Sequence, residues 1–157
     1  MHYRDECRGI YSEGSSAVTY RGRCQCGAIA GVMESEPVAV RQCWCRQCQQ
    51  LAAGGPTNNA MFRTENVALT GTLSTHAYIA ASGNTLTQSF CEVCGTPVMA
   101  RSSARPQFST IRLGFLAAGS GLRPQVAIWT QEAPAGALID PDIDHYPQQA
   151  PPPPVNT

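Results

Sequence analysis

Lysine is absent from this 157-residue chain, and histidine occurs only three times. The absence of lysine excludes a catalytic lysine that forms a Schiff base with a carbonyl substrate. The scarcity of histidine argues against a histidine-rich metal centre. The formal net charge is zero, so the composition gives no reason to expect nucleic acid as a partner.

Long apolar runs are also lacking. No stretch approaches the ~18 apolar residues that a membrane helix needs, so we expect no membrane partner. Residues 1–10 are charged and contain no apolar segment of the kind found in secretory signals. These absences favour a reducing, cytoplasmic location, where clustered cysteines serve metal binding more often than disulfide formation.

Cysteine, by contrast, is abundant and clustered. The chain has eight cysteines, and seven of them fall into three short groups: Cys24 and Cys26; Cys43, Cys45 and Cys48; Cys91 and Cys94. The eighth, Cys7, has no partner at metal-ligand spacing and is interpreted as a spare thiol. A disulfide within C-x-C would be strained, and no βαβ pattern accompanies the last pair as it would in a thioredoxin-like protein. Metal binding is therefore the favoured use.

Seven thiols suit two zinc ions per chain. A structural zinc takes four protein ligands, whereas a catalytic zinc takes three and leaves the fourth position for water or substrate. The two outer pairs can form the four-thiolate site, and the central three cysteines can form the other. Spacing alone also permits a single four-thiolate site made of Cys43, Cys48, Cys91 and Cys94. If every zinc is structural, the protein is a non-catalytic zinc-stabilised binding module.

Three sequence blocks carry a family resemblance. Gly22–Ala28 reads G-R-C-Q-C-G-A, Cys43–Cys48 reads C-W-C-R-Q-C, and Ser89–Pro97 reads S-F-C-E-V-C-G-T-P. In this order they resemble the glutathione-dependent formaldehyde-activating enzyme family, which includes centromere protein V. The similarity covers about residues 20 to 139. Gln25 and Trp44 stand where many members carry histidine.

The resemblance implies a mainly β fold, in which small antiparallel sheets stabilised by zinc form a tent-like arrangement. It assigns the structural zinc to Cys24, Cys26, Cys91 and Cys94, and the catalytic zinc to Cys43, Cys45 and Cys48. The implied activity is that of a carbon–sulfur lyase that forms S-hydroxymethylglutathione from glutathione and formaldehyde. The expected partner is then a small-molecule thiol. A lyase acting on another thiol adduct is the further alternative, and no acid or base is identified beyond the metal ligands.

The chain reads as one domain with two flanking segments. Residues 1–19 are polar and are predicted to be a flexible extension. Residues 20–140 are predicted to be the zinc-binding domain. Residues 141–157 contain the proline run 151–154 and are predicted to be a disordered tail.

Local patterns predict the elements that carry the cysteines. A strand over 38–42 leads directly to Cys43, and a short helical turn is predicted over 46–53. The strongest hairpin candidate joins 75–80 to 85–90 and ends at Cys91. Further strands are predicted at 28–33, 58–63, 66–70, 96–101, 108–115 and 125–130.

Three residues beside the central cysteines are candidates for a supporting role. Three thiolates on Zn²⁺ carry a net charge of about −1. Arg41 and Arg46 can offset that charge or hold a substrate carboxylate. Trp44 can line a ligand pocket or shield the metal from water. His76, in the hairpin, is interpreted as a surface or packed residue rather than a base.

Overall fold

Strands dominate residues 18–80 and 82–151, which are the residues that the computed structural model describes. In chain order the strands are β1 (Tyr20–Arg23), β2 (Ala30–Met33), β3 (Ala39–Cys43), β4 (Thr57–Arg63), β5 (Val67–Thr70), β6 (Leu73–Ile79), β7 (Thr85–Cys91), β8 (Pro97–Ser102), β9 (Phe108–Arg112), β10 (Val126–Ile128) and β11 (Asp144–His145). The helix α1 covers Arg46–Leu51, and short 3-10 helices cover Thr64–Asn66, Leu113–Phe115 and Thr130–Glu132. The predicted mainly β class is confirmed.

The predicted local elements that deliver the cysteines are also present. The hairpin is formed by β6 and β7, with Ile79 opposite Thr85 at its tip and Leu73 opposite Cys91 at its base. The helical turn after the central cysteines is α1. Both elements depend on short-range patterns, which explains why the sequence predicts them well.

The strands form two sheets. The small sheet has the order β1-β2-β5 and is antiparallel. The large sheet has the order β11-β10-β3-β4-β9-β8-β7-β6. Its pairs are antiparallel as predicted, except that β10 runs parallel to both β3 and β11.

One face of the large sheet forms the main hydrophobic core. Neighbouring positions on β3, β4, β9 and β8 are buried apolar residues on this face: Val40, Ala60, Ile111 and Met99. They share the core with Met33 of the small sheet and with Phe115 in the 3-10 helix after β9. The core therefore lies between the two sheets and holds them together.

The opposite face of the same strands is polar. Side chains alternate along a strand, so the residues one position away lie on the other side of the sheet. The register places Arg41, Asn59 and Arg112 next to one another across β3, β4 and β9. Asn59 and Arg112 are only 9% and 7% exposed. Arginine is rarely buried unless it has a partner, so this row needs an explanation other than packing.

Residues 141–151 are ordered in the structure, whereas their proline content predicted a disordered tail. β11 extends the edge of the large sheet, and the Tyr146 N–H donates to the Ala127 carbonyl at 2.9 Å. The N–H of Trp129 then donates to the Gln148 carbonyl at 3.0 Å. Proline lacks an N–H but keeps its carbonyl, so it is compatible with a sheet edge. The Pro147 carbonyl accepts from the Gln131 N–H at 3.4 Å.

The predicted N-terminal extension, with Cys7, lies outside the described residues except for Val18 and Thr19. The end of the proline run, from residue 152, also lies outside them. Among the described residues, no helix is long and apolar enough to cross a membrane.

Replacing Gly22 by alanine is expected to destabilise the packing of the small sheet. The added Cβ would overlap the Phe115 ring and approach the Phe115 carbonyl oxygen to 2.9 Å. Overpacking of this kind costs about 1–3 kcal/mol, which urea denaturation can measure. Gly114→Ala is the matched control, because a Cβ there meets no heavy atom within 4 Å. Equal unfolding free energies for the two variants would contradict the packing described.

Removal of the ordered C-terminal segment is expected to weaken the core around the central cysteines. Tyr146 and Ala150 pack with Cys43 and Cys48 in a second hydrophobic cluster. A chain ending at Asp140 should therefore melt more than about 4 °C below the full chain, equivalent to 1–2 kcal/mol at this size. A chain ending at Pro151 keeps these contacts and should melt with the full chain. Equal melting of both truncated chains would show that the segment adds no stability.

Candidate metal centres

The four outer cysteines converge at one point although two distant parts of the chain supply them. The Sγ atoms of Cys24, Cys26, Cys91 and Cys94 all lie within 4.8 Å of one another. The Cys26 Sγ is 3.6 Å from that of Cys24 and 3.7 Å from that of Cys91. A tetrahedral zinc with bonds of ~2.3 Å has sulfur–sulfur edges of about 3.8 Å. The sulfur geometry therefore fits a closed four-thiolate centre.

Two similar turns present these four cysteines. In the first, the Gly27 N–H donates to the Cys24 carbonyl at 3.0 Å, and in the second the Gly95 N–H donates to the Cys91 carbonyl at 2.9 Å. Gly27 and Gly95 have φ values of +82° and +72°, a conformation that favours glycine. The glycine after each cysteine pair is thus needed for the turn itself.

Hydrogen bonds to sulfur stabilise negative charge in the outer cluster. The Ile29 N–H donates to Cys24 Sγ at 3.2 Å. Thr96 Oγ1 accepts from the Gln25 N–H at 3.2 Å and lies 3.1 Å from Cys94 Sγ, so its own hydrogen is available to that sulfur. This hydroxyl, together with nearby backbone N–H groups, lowers the pKa of Cys94 to about 5.

The three central cysteines form a second cluster where β3 meets α1. Their Sγ atoms lie within 4.8 Å of one another. Cys43 ends β3, Cys45 precedes α1, and Cys48 lies within α1. Cys43 and Cys48 are buried, whereas Cys45 is partly exposed. The cluster is therefore embedded in the protein and has solvent contact on the Cys45 side.

The grouping of the sulfur atoms agrees with the one that the resemblance implied. The described cysteines divide into a group of four and a group of three. The alternative site, with Cys43 and Cys48 joined to Cys91 and Cys94, does not match this grouping, because the two pairs belong to different clusters.

Glu132 and Gln49 hold α1 in place beside the central cluster. The Arg46 N–H donates to Glu132 Oε2 at 2.8 Å. The buried Gln49 side chain donates to the carbonyls of Trp44 and Glu132, at 2.6 and 2.8 Å. These bonds connect the helix that carries Cys48 to the 3-10 helix that follows β10.

The residues that flank the central cysteines have different surroundings. Trp44 is 4% exposed, and its indole N–H donates to Gln42 Oε1 at 2.9 Å, which favours the shielding role. The Arg46 side chain is exposed. Arg41 is half-buried, and burial followed by the charge of Arg105 lowers its pKa. His76 is exposed, as predicted for a surface residue.

Sequence analysis missed Arg112, a buried cation beside the central cluster. Its guanidinium donates to Asn59 Oδ1 and Gln88 Oε1, which are both neutral acceptors. Burial lowers the pKa of Arg112, and the attraction of the Cys48 and Cys43 sulfurs opposes that effect. The sequence shows only that Arg112 lies in a predicted strand and has no acidic residue nearby in the chain. Its partners on other strands depend on the strand register, which the sequence does not reveal.

Arg112 also determines how the amides around it are oriented. A guanidinium can only donate, so the amide oxygens of Asn59 and Gln88 face it and their nitrogens face away. Asn59 Nδ2 donates to Thr57 Oγ1 at 3.0 Å, and Gln88 Nε2 donates to the Tyr78 hydroxyl oxygen at 3.2 Å. Both hydroxyl groups accept, so each keeps its own hydrogen to donate elsewhere.

The Thr57 hydroxyl acts on Cys48. Hydrogen bonds from the Cys43 and Cys45 thiols, then the Thr57 hydroxyl and the charge of Arg112, lower the pKa of Cys48 to about 3 against the effect of burial. Hydrogen bonds to Cys45 and Cys48 raise the pKa of Cys43. The Thr57 hydroxyl and the charge of Arg112 therefore both favour the thiolate form of Cys48.

A cavity of about 270 Å³ is lined by neighbours of both clusters, although by none of the seven described cysteines. It is lined by Thr57, which bonds to Cys48, by Thr96, which bonds to Cys94, and by Arg112. Leu51 and Pro97 contribute apolar walls. Its volume is close to the lower end of the range for small-molecule sites.

The fold and the two clusters define a β protein with one four-sulfur and one three-sulfur site, each able to hold a metal ion. Residues 19–132 match the profile of the family described as glutathione-dependent formaldehyde-activating enzyme. Because this match spans most of the chain, the protein belongs to that family, as the three cysteine blocks predicted.

A crystal structure of a Rhodobacter sphaeroides protein is similar to this chain. The two have a TM-score of 0.51 and 19% sequence identity, over 66% of this chain and 91% of that chain. At this identity the likeness shows the fold alone. The search of curated proteins gave no match.

Replacing one cysteine in each cluster is expected to remove one of two metal ions. Cys45→Ser should halve the metal content with little change in melting, because its cluster joins residues only a few positions apart. Cys91→Ser should halve the metal content and also lower the melting temperature, because its cluster joins segments 65 residues apart. Elemental analysis and thermal unfolding measure both effects.

Cys7→Ser is the matched control for these variants. As a spare thiol, Cys7 should be replaceable without loss of metal. A wild-type content of one ion per chain, or two ions retained in Cys45→Ser, would contradict the arrangement in two centres. Loss of one ion in Cys7→Ser would instead identify Cys7 as a further ligand.

Proposed function

We propose that the protein is a zinc-dependent enzyme of the carbon–sulfur lyase type that acts on a thiol adduct. The family description suggests S-hydroxymethylglutathione, formed from glutathione and formaldehyde. The observation that carries the proposal is the cluster of Cys43, Cys45 and Cys48 beside a cavity, separate from a four-cysteine cluster. Three protein ligands are typical of a zinc that takes part in chemistry, and four of a structural one.

The donor atoms support zinc as the metal. Thiolate sulfur is a soft ligand that zinc accepts readily, and the sulfur separations of 3.6 and 3.7 Å suit its tetrahedral geometry. Cys24, Cys26, Cys91 and Cys94 would hold the structural ion, and Cys43, Cys45 and Cys48 the catalytic ion. A zinc ion at the central cluster would lower the pKa of an incoming thiol and so favour its thiolate form.

Residues of the chain prepare the site for such a thiol. The Thr57 hydroxyl favours the thiolate form of Cys48, and the buried charge of Arg112 offsets the negative charge that a thiolate brings. Trp44, which is buried next to Cys43 and Cys45 in the chain, would shield the metal from water. The substrate sulfur then attacks the aldehyde carbon and a carbon–sulfur bond forms. The π electrons of the carbonyl group move to its oxygen, which also gains one proton. This proton balances the one that the thiol released. The reverse reaction breaks the same carbon–sulfur bond.

The proposed partner is a small-molecule thiol, and the proposed location is the cytoplasm. All seven cysteines in the described part of the chain are free thiols, which suits a reducing compartment. Neither nucleic acid nor a membrane has a role in the proposed reaction.

The zinc-loaded protein is expected to accelerate adduct formation between glutathione and formaldehyde at least about tenfold over the uncatalysed rate. Exchange NMR measures this rate at equilibrium. Cys45→Ser should lose the acceleration, and Cys7→Ser should keep it.

Thermal shifts with a set of thiols distinguish the rival functions. Stabilisation by glutathione supports the proposal. Stabilisation by other thiols alone indicates a lyase that acts on a different adduct. An unchanged melting temperature with every thiol, together with background rates at full zinc loading, indicates a non-catalytic zinc-stabilised binding module.

A further inference from the structure

One N–H group of the Arg112 guanidinium is buried and has no acceptor among the described residues. Its two terminal nitrogens donate to Asn59 and Gln88, but its Nε is buried without a hydrogen-bond partner. A buried donor left unpaired costs stability, and more so on a charged group. An unsatisfied group of this kind needs an explanation, and a catalytic or binding role is one of the few available.

The surroundings of Arg112 suit an anionic acceptor. Asn59 stands between Arg112 and Arg41 in the cross-strand row, and the Arg41 Nε is likewise buried and unpartnered among the described residues. Arg105 contributes further positive charge near Arg41. The amides that orient Arg112 are neutral, so they leave its charge available.

The cavity brings Arg112 close to the central cluster. Arg112 and Thr57 line the same space, and Thr57 bonds to Cys48. A short thiol bound at the cluster would therefore extend into the space that Thr57 and Arg112 share. Leu51 and Pro97, which line the same space, would contact its carbon chain.

We propose that Arg112 binds the carboxylate of the thiol substrate, so that the site selects anionic thiols. A guanidinium binds a carboxylate through charge-assisted N–H bonds, and Arg112 lines the cavity with only neutral amides as its own partners. This inference rests on the proposed function, because the thiol must first bind at the central cluster.

The test compares two thiols that share a three-carbon skeleton, 3-mercaptopropionate and 3-mercaptopropan-1-ol. Each is titrated into the cobalt-loaded protein, and the thiolate-to-cobalt charge-transfer absorption reports binding. The wild type should bind the carboxylate thiol about tenfold to hundredfold more tightly, the range expected of one charge-assisted hydrogen-bonded pair.

Variants assign the preference to one side chain. Arg112→Met should remove the preference, so it should weaken binding of the carboxylate thiol far more than that of the alcohol, which loses only the offset of its thiolate charge. Arg112→Lys keeps the charge but not the paired geometry, so it should keep part of the preference. Arg63→Met, at an exposed arginine of β4, is the matched control and should bind both thiols like the wild type.

Equal affinity of the wild type for the two thiols would overturn the inference while leaving the proposed function intact. The same holds if Arg112→Met weakens both thiols equally, because Arg112 then only offsets the charge of the cluster. If neither thiol perturbs the cobalt spectrum, the proposed function and the inference both fail. The wild-type comparison needs no variant, so it can overturn the inference even if Arg112→Met does not fold, and Arg112→Lys then tests the assignment to this side chain.

Discussion

The close approach of sulfur atoms is the constraint on which this structure depends. Thiolates held within 4.8 Å of one another repel unless a cation or hydrogen-bond donors offset their charge. The protein supplies donors at each cluster, such as the Ile29 N–H at the outer one and the Thr57 hydroxyl at the central one. Each turn of the outer cluster ends on a glycine with a positive φ. The backbone conformation of the turn therefore also sets where its two cysteine side chains lie.

The large sheet packs one face into the main core and carries the polar row of Arg41, Asn59 and Arg112 on the other. Ala60 is fully buried in the main core, and the next residue towards the N-terminus, Asn59, contacts Arg112 on the opposite face. Because adjacent positions of β4 belong to both faces, packing of the core sets the geometry of the polar row. A catalytic group on such a strand is held more rigidly than one on a loop.

The C-terminal segment completes the surroundings of the central cluster. Its strand β11 covers an edge that would otherwise expose unpaired backbone groups, and Ala150 packs with Cys43 and Cys48. A proline-rich sequence therefore has a structural role here, because its carbonyls accept hydrogen bonds although its nitrogens cannot donate them.

By itself, the sequence determined the three cysteine groups, the hairpin and the helical turn, because these depend on neighbours a few positions apart. The family blocks added the grouping of Cys24 and Cys26 with Cys91 and Cys94, which the sulfur positions match. Only the tertiary structure placed Arg112 beside Asn59, 53 positions away, because cross-strand register has no local signature. It alone also decided that residues 141–151 are ordered, since that order depends on an available sheet edge and not on local propensity.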